Sequence, residues 1–241
     1  MCTVTIFIKG DNDFVLTSNR DEAPNRVSLP PNFYLVNNTK MLFPKDEKSG
    51  GTWIGVSEKN RLICLLNGGF ELHQRKEHYR LSRGVVVTDL LASEEIVSTI
   101  ENYNLQDIEP FTIVIADWNT DLHFYELVWD GSQKHFTKLP KEARVWSSST
   151  LYTKAMREER KQWFEDFKSR NELSSAKALQ FHKNTNIDNT EYGVIMDRGS
   201  VKTTSVTQVV KRKEEIFMSF ENLQNNTAFS KTFLFSETIH E

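Results

Sequence analysis

Cysteine is scarce: 241 residues hold two, Cys2 and Cys64. They lie far apart and form no CxxC, which excludes a disulfide framework and a zinc ribbon. Long apolar runs are missing as well. None approaches the roughly 18 residues that a bilayer span needs. No charged n-region followed by an apolar h-region opens the chain, so no secretory leader is expected. Nor does one sign of charge dominate: 30 basic residues stand against 33 acidic, a net of −3. That balance leaves no electrostatic footprint for nucleic acid or an anionic membrane. There is no internal repeat, low-complexity linker or composition break. What is present is 38% hydrophobic, 11% aromatic and 26% charged residues, which excludes wholesale disorder. The length suffices for one large core without help from disulfides or a metal. These features predict a cytoplasmic protein with a single domain over residues 1–241.

The start reads as a β-hairpin. Residues 2–8 are dense in β-branched side chains, and Val4, Ile6 and Ile8 share one face with Cys2. Residues 10–13 supply a turn. Phe14 to Ser18 returns and runs directly into Asn19-Arg20-Asp21-Glu22. Residues 24–50, with Pro24, Pro30, Pro31 and Pro44, read as a long irregular excursion. Strands follow at 52–56 and 62–66. Two helical segments are expected from Ser82 to Leu91 and from Ser93 to Tyr103, with the two serines as N-caps. Further strands are expected at 111–116, 122–129, 135–139 and 144–147. Lys154 to Lys168 is the clearest helix, with Met156, Trp163 and Phe167 near one face and a solvated charged face opposite. A last antiparallel pair is expected at 201–210 and 215–220, with a short strand near Phe233. Segregated strands and helices imply an α+β fold, satisfied by two antiparallel sheets between two helical layers, an αββα sandwich.

Cys2 is the most informative position. Removal of Met1 would leave a cysteine that carries a thiol and an α-amine of pKa about 7.7 in one residue. The amine could then take the thiol proton without a separate histidine. Arg20 near the thiol would favour the thiolate, and Asp21 could hold the protonated amine. Consecutive strand residues point to opposite faces, so both reach one site only if the strand ends or bulges there. The ordinary alternative is a polar turn with a surface ion pair. Asn67 ends a strand before Gly68-Gly69 and suits an oxyanion donor, although asparagine-glycine is also a turn signal. His73 and His78 have the wrong spacing for one helical metal face. His123, His135 and His182 are isolated and read as structural. Ser147-Ser148-Ser149 lacks the glycines of a nucleophile elbow. Gly50-Gly51-Thr52 lacks the lysine of a phosphate loop. Cys64 reads as an inert core residue.

The combination of these segments resembles the NRDE family, also called the transport-and-Golgi-organization family. The resemblance rests on Met1-Cys2-Thr3, the Asn19–Glu22 tetrad and residues 50–56, GGTWIGV. Looser blocks follow: Leu65-Leu66-Asn67, Ser82-Arg83-Gly84, residues 146–151, Tyr192-Gly193 and residues 202–205. It implies a fold like that of N-terminal-nucleophile hydrolases, closest to the cysteine amidase branch with bile-salt hydrolases and penicillin acylases. By that likeness Cys2 is the nucleophile, Arg20 and Asp21 flank it, and Asn67 contributes to the oxyanion site. Asn19, Glu22, Ser148 and Lys202 are the expected substrate-binding positions. Three departures stand out. Arg20 and Asp21 are adjacent where the branch separates them by two residues. Ser148 stands where the branch has a second asparagine, and Lys202 where the family pattern has an arginine.

Two functions follow from the resemblance. One is amidase chemistry on the C–N bond of a small acylated molecule, with no cofactor required. The other is a non-enzymatic carrier that holds haem or an acyl-CoA-like lipid in the same cleft. The sequence leaves the oligomeric state open.

Overall fold

The computed structural model describes residues 3–10 and 12–235; Met1 and Cys2 lie outside the described residues. The alternation at the start does form a hairpin. β1 (Thr3–Lys9) pairs antiparallel with β2 (Asp13–Glu22), with Thr3 opposite Asn19. Val4, Ile6, Phe14 and Leu16 join the main hydrophobic core. Phe7 and Val15, of opposite parity, pack instead with Ala178 and Val210. One hairpin thus serves two apolar layers.

The remaining strands complete two sheets. They are β3 (Ser28–Val36), β4 (Thr39–Asp46), β5 (Ile54–Ser57), β6 (Arg61–Asn67), β7 (Phe111–Asp117), β8 (His123–Trp129), β9 (Lys134–Leu139), β10 (Arg144–Ser147), β11 (Lys202–Arg212), β12 (Glu215–Asn222) and β13 (Thr227–Leu234). Six of the thirteen run in the order β10-β1-β2-β11-β12-β13, and seven in the order β3-β4-β5-β6-β7-β8-β9. The helices are α1 (Arg83–Ala92), α2 (Ile96–Asn102), α3 (Lys154–Arg170) and α4 (Ser175–Asn184). α1 packs on β5 and β6, whereas α3 lies on β10 and α4 on β2 and β11. The main core draws buried residues from both sheets. The architecture is the expected α+β sandwich of two antiparallel sheets.

Three local expectations are corrected. Residues 24–50 are not an irregular excursion; they hold β3 and β4. The register shifts between Leu29 and Asn32, so Pro30-Pro31 fall in a bulge of the edge strand, where a missing N–H costs no ladder bond. Asn37 and Asn38 turn the hairpin at φ of 49° and 58°, the left-handed pair that a two-residue turn demands. Ser93 does not cap α2. It ends α1, and α2 starts three residues later, after Glu95. The charged face of α3 is not wholly solvated either. Arg160 is fully buried, and its Nη2 and Nε donate to the carbonyls of Gly193 and Tyr192 at 2.6 and 3.0 Å. Those carbonyls receive the guanidinium, so burial follows from long-range acceptors that helical periodicity does not register.

Candidate functional site

The Asn19–Glu22 tetrad forms the last four residues of β2 rather than a turn beyond it. Opposite it, β11 carries a bulge: Asp21 pairs with Thr203 and Arg20 with Ser205, so Thr204 is the extra residue. The irregularity expected near Arg20 and Asp21 therefore lies on the partner strand.

The four side chains separate. Asn19 is fully buried, and its Nδ2 donates to the carbonyls of Val194 at 2.7 Å and His182 at 3.1 Å. Its Oδ1 accepts from His182 Nδ1 at 2.7 Å, which leaves His182 Nε2 to accept the Thr5 hydroxyl at 2.8 Å. Those bonds need a neutral ring, and burial, followed by the charge of Arg160, pushes the His182 pKa down to about 3. Asn19 thus anchors β2 to α4.

Arg20 lies against the other sheet. Its Nη2 donates to Asp46 Oδ2 at 2.5 Å, and its guanidinium lies 4.6 Å over the Trp53 ring. Burial works to raise the Asp46 pKa, but bonds from the Ser49 amide and Arg26 outweigh it and hold the carboxyl below its ordinary range. Asp21 accepts from the Tyr152 hydroxyl at 2.7 Å and the Thr203 hydroxyl at 2.6 Å. Tyr152 in turn stacks under Arg160, whose guanidinium carbon is 3.7 Å from the ring centroid. Glu22 faces Arg26 at 3.5 Å and Arg20 at 3.7 Å.

Arg20, Glu22 and Asn67 share one cavity of about 310 Å³. Asn67 reaches it from the end of β6, where Gly68 turns the chain at φ +85°. Asn19, Asp21, Ser148 and Lys202 are not among its lining residues. Ser148 instead donates to the Asn67 carbonyl at 2.7 Å and so sits directly behind it. Lys202, the first residue of β11, pairs across from Glu22 at the end of β2. Cys2, the expected nucleophile, lies outside the described residues. The cavity belongs to the end of the sheet where β1 begins, because Arg20 follows the partner of Thr3.

Sequence reasoning missed several residues of this region. Asp46, Arg26, Arg83 and Glu109 also line the cavity. Asp46 stood in the stretch read as irregular, so its approach to Arg20 had no local signal. Trp53 and Arg83 belonged to recognised blocks without an assigned role. Tyr152 and Arg160 are joined to Asp21 only in three dimensions. Among the described residues, no group of three or more His, Cys, Asp and Glu could hold a metal ion. None of the described helices is long and apolar enough to cross a membrane.

Known structures share this fold. A variant of conjugated bile acid hydrolase from Clostridium perfringens superposes with a TM-score of 0.53, covering 98% of each chain at 12% identity. Penicillin V acylase from Agrobacterium tumefaciens gives 0.56, covering 95% of this chain and 85% of its own, also at 12% identity. Curated relatives match over a shorter stretch. The mouse Transport and Golgi organization 2 homolog is 33% identical over 112 residues, 44% of this chain and 39% of its own. The human homolog is 29% identical over 111 residues, with the same shares. The matched segment therefore spans about two fifths of the curated relatives' length. The family model for Transport and Golgi organisation 2 extends much further, matching residues 1–234, and the chain belongs to that family.

Proposed function

We propose that this protein is an N-terminal-nucleophile amidohydrolase that cleaves the C–N amide bond of a small acylated molecule. The observation that carries the reading is the meeting of Arg20 and Asn67 in one cavity, at the end of the sheet where β1 begins. The likeness of the fold to two amide-cleaving hydrolases supports it.

In this reading Met1 is removed and Cys2 becomes the first residue. Its α-amine takes the thiol proton, and the sulfur attacks the amide carbonyl carbon. The electron pair moves to the carbonyl oxygen, where the Asn67 amide donates to it. Collapse of the adduct breaks the C–N bond, and the departing nitrogen takes the proton from the α-ammonium. Water then cleaves the thioester and releases the acid. Arg20 supplies positive charge, and Asp21, fixed by Tyr152 and Thr203, holds the ammonium. Ser148 supports Asn67 through its carbonyl rather than acting as a second donor. Replacing Cys2 by Ala should abolish turnover across a panel of N-acyl amides; undiminished turnover rejects the reading.

A second reading is a carrier that holds an acyl-CoA-like ligand or haem in the same cavity without chemistry. The Arg20–Asp46 contact favours it, because a guanidinium already neutralised at 2.5 Å does less to activate a thiol. Four arginines line the cavity, which suits the phosphates of an acyl-CoA-like ligand. Saturable binding of acyl-CoA with no turnover of any amide supports this reading; no binding of either ligand rejects it.

A further inference from the structure

We infer that the cavity recognises an oxyanion, a carboxylate or phosphate carried by its ligand, at the side formed by Arg75, Arg83 and the start of α1. This rests on the amidohydrolase reading and names its substrate class: an acyl amide that bears an anionic group.

The charge distribution carries the inference. Four guanidiniums line the cavity, those of Arg20, Arg26, Arg75 and Arg83, against the carboxylates of Glu22, Asp46 and Glu109. Asp46 is taken by Arg20 and Arg26 at 2.5 and 2.7 Å, and Glu22 lies 3.7 and 3.5 Å from the same two. Glu109 is left to serve both remaining arginines, Arg83 at 3.2 Å and Arg75 at 3.8 Å. One carboxylate between two guanidiniums leaves one positive charge at this side. The side chain of Arg75 is 78% exposed, so its loose contact with Glu109 gives way readily to a ligand.

The start of α1 adds to that charge. Ser82, Arg83 and Gly84 line the cavity. The first turn holds no acidic residue, and Arg83 occupies its first position. A cation at a helix N-terminus adds to the positive end of the dipole instead of cancelling it. Burial pushes the Arg83 pKa down, so the charge is held there at a cost that Glu109 offsets only in part.

Trp53, Leu65 and Leu81 line the same cavity. Their apolar surface suits the acyl chain that carries the anionic group.

The test is calorimetric titration of the Cys2→Ala variant with three probes: N-octanoylglycine, N-octanoylphosphoethanolamine and neutral N-octanoylglycinamide. Both anionic probes should bind at least about tenfold tighter than the neutral one, the worth of a charge-assisted hydrogen bond. The order of the two anions assigns carboxylate or phosphate. Adding Arg75→Ala should reduce the advantage to under about threefold, with an unchanged unfolding curve as the check on folding. Equal binding of charged and neutral probes overturns the inference, as does no binding of any probe or an advantage that survives Arg75→Ala. Wild-type turnover tells the two readings apart. Hydrolysis of all three probes without anion preference keeps the amidohydrolase and removes the subsite. Anion preference in binding without hydrolysis keeps the subsite and removes the amidohydrolase.

Discussion

The guanidinium of Arg20 and the carboxylate of Asp46 meet at 2.5 Å with side chains only 3% and 6% exposed. The pair joins β2 of one sheet to the end of β4 in the other, beside the cavity. Buried pairs of this kind contribute little beyond a hydrophobic substitute, but breaking one is expensive. Asp46→Ala removes the nearest carboxylate from a buried cation and should destabilise the fold by about 3 kcal/mol. Urea denaturation of the variant measures it; a loss under about 1 kcal/mol means the pair behaves like a surface contact.

Arg160 ties α3 to the loop before β11 and, through Thr3, to the start of β1. Arg160→Met should cost about 3 kcal/mol, because two carbonyls lose their donor. Arg160→Lys should recover little of it, since an ammonium cannot span the same fork of acceptors. Full rescue by lysine shows that charge alone matters.

His182 has a folded-state pKa depressed to about 3. An unfolded histidine titrates near 6.5. The unfolded chain therefore binds the extra proton between those values, and stability falls as the pH drops through that window. It is fully present above about 6.5 and declines by about 1 kcal/mol per pH unit below it. Stability curves at pH 7, 6 and 5 should show this slope, and His182→Gln should flatten it. An unchanged slope in the variant assigns the acid sensitivity to carboxylates instead.

Gly68 holds φ at +85°, and a Cβ there would fall 2.2 Å from Ser149 Oγ and 2.8 Å from Thr150 Cγ2. Gly68→Ala should therefore destabilise by about 2 kcal/mol. It should also pull Ser148 off the Asn67 carbonyl. Turnover or ligand affinity should drop further than the stability change explains, measured where the variant remains folded. A wild-type site in a destabilised variant shows that the Ser148 contact is dispensable.

Cys64 is fully buried, and burial pushes its thiol up to about 12. Iodoacetamide at neutral pH should leave it unmodified in the native protein and label it only on unfolding. Intact mass with peptide mapping reads this directly. Native labelling of Cys64 shows local opening of β6.

Much of the fold was legible because its elements obey simple periods. Val4, Ile6, Phe14 and Leu16 alternate as a half-buried strand must, and they do face the core. The hairpin at 28–46 was hidden by its prolines, although Asn37-Asn38 carried the turn signal between two strand-like runs. Candidate residues were legible where a motif marked them, as at Arg20 and Asn67. Partners supplied from distant chain were not: Asp46 lies 26 positions from Arg20, and Tyr152 lies 131 from Asp21. Arg160 shows the limit most sharply. Polarity places it on the wet face of α3, and only the carbonyls of 192–193 explain why it is dry.

The contact between Gly51 and Gly84 fixes how α1 is seated beside the cavity. A Cβ on Gly51 would sit 3.1 Å from the main chain of Gly84, and one on Gly84 would sit 3.1 Å from Thr52 N. Two backbones therefore touch beside the cavity with no side chain between them. No rotamer change can loosen this joint, because neither residue has a side chain to move. The seat of α1, and with it the Arg83 guanidinium at the cavity, is therefore set by main chain, and any side chain added at either glycine has to push the helix away from residues 51–52.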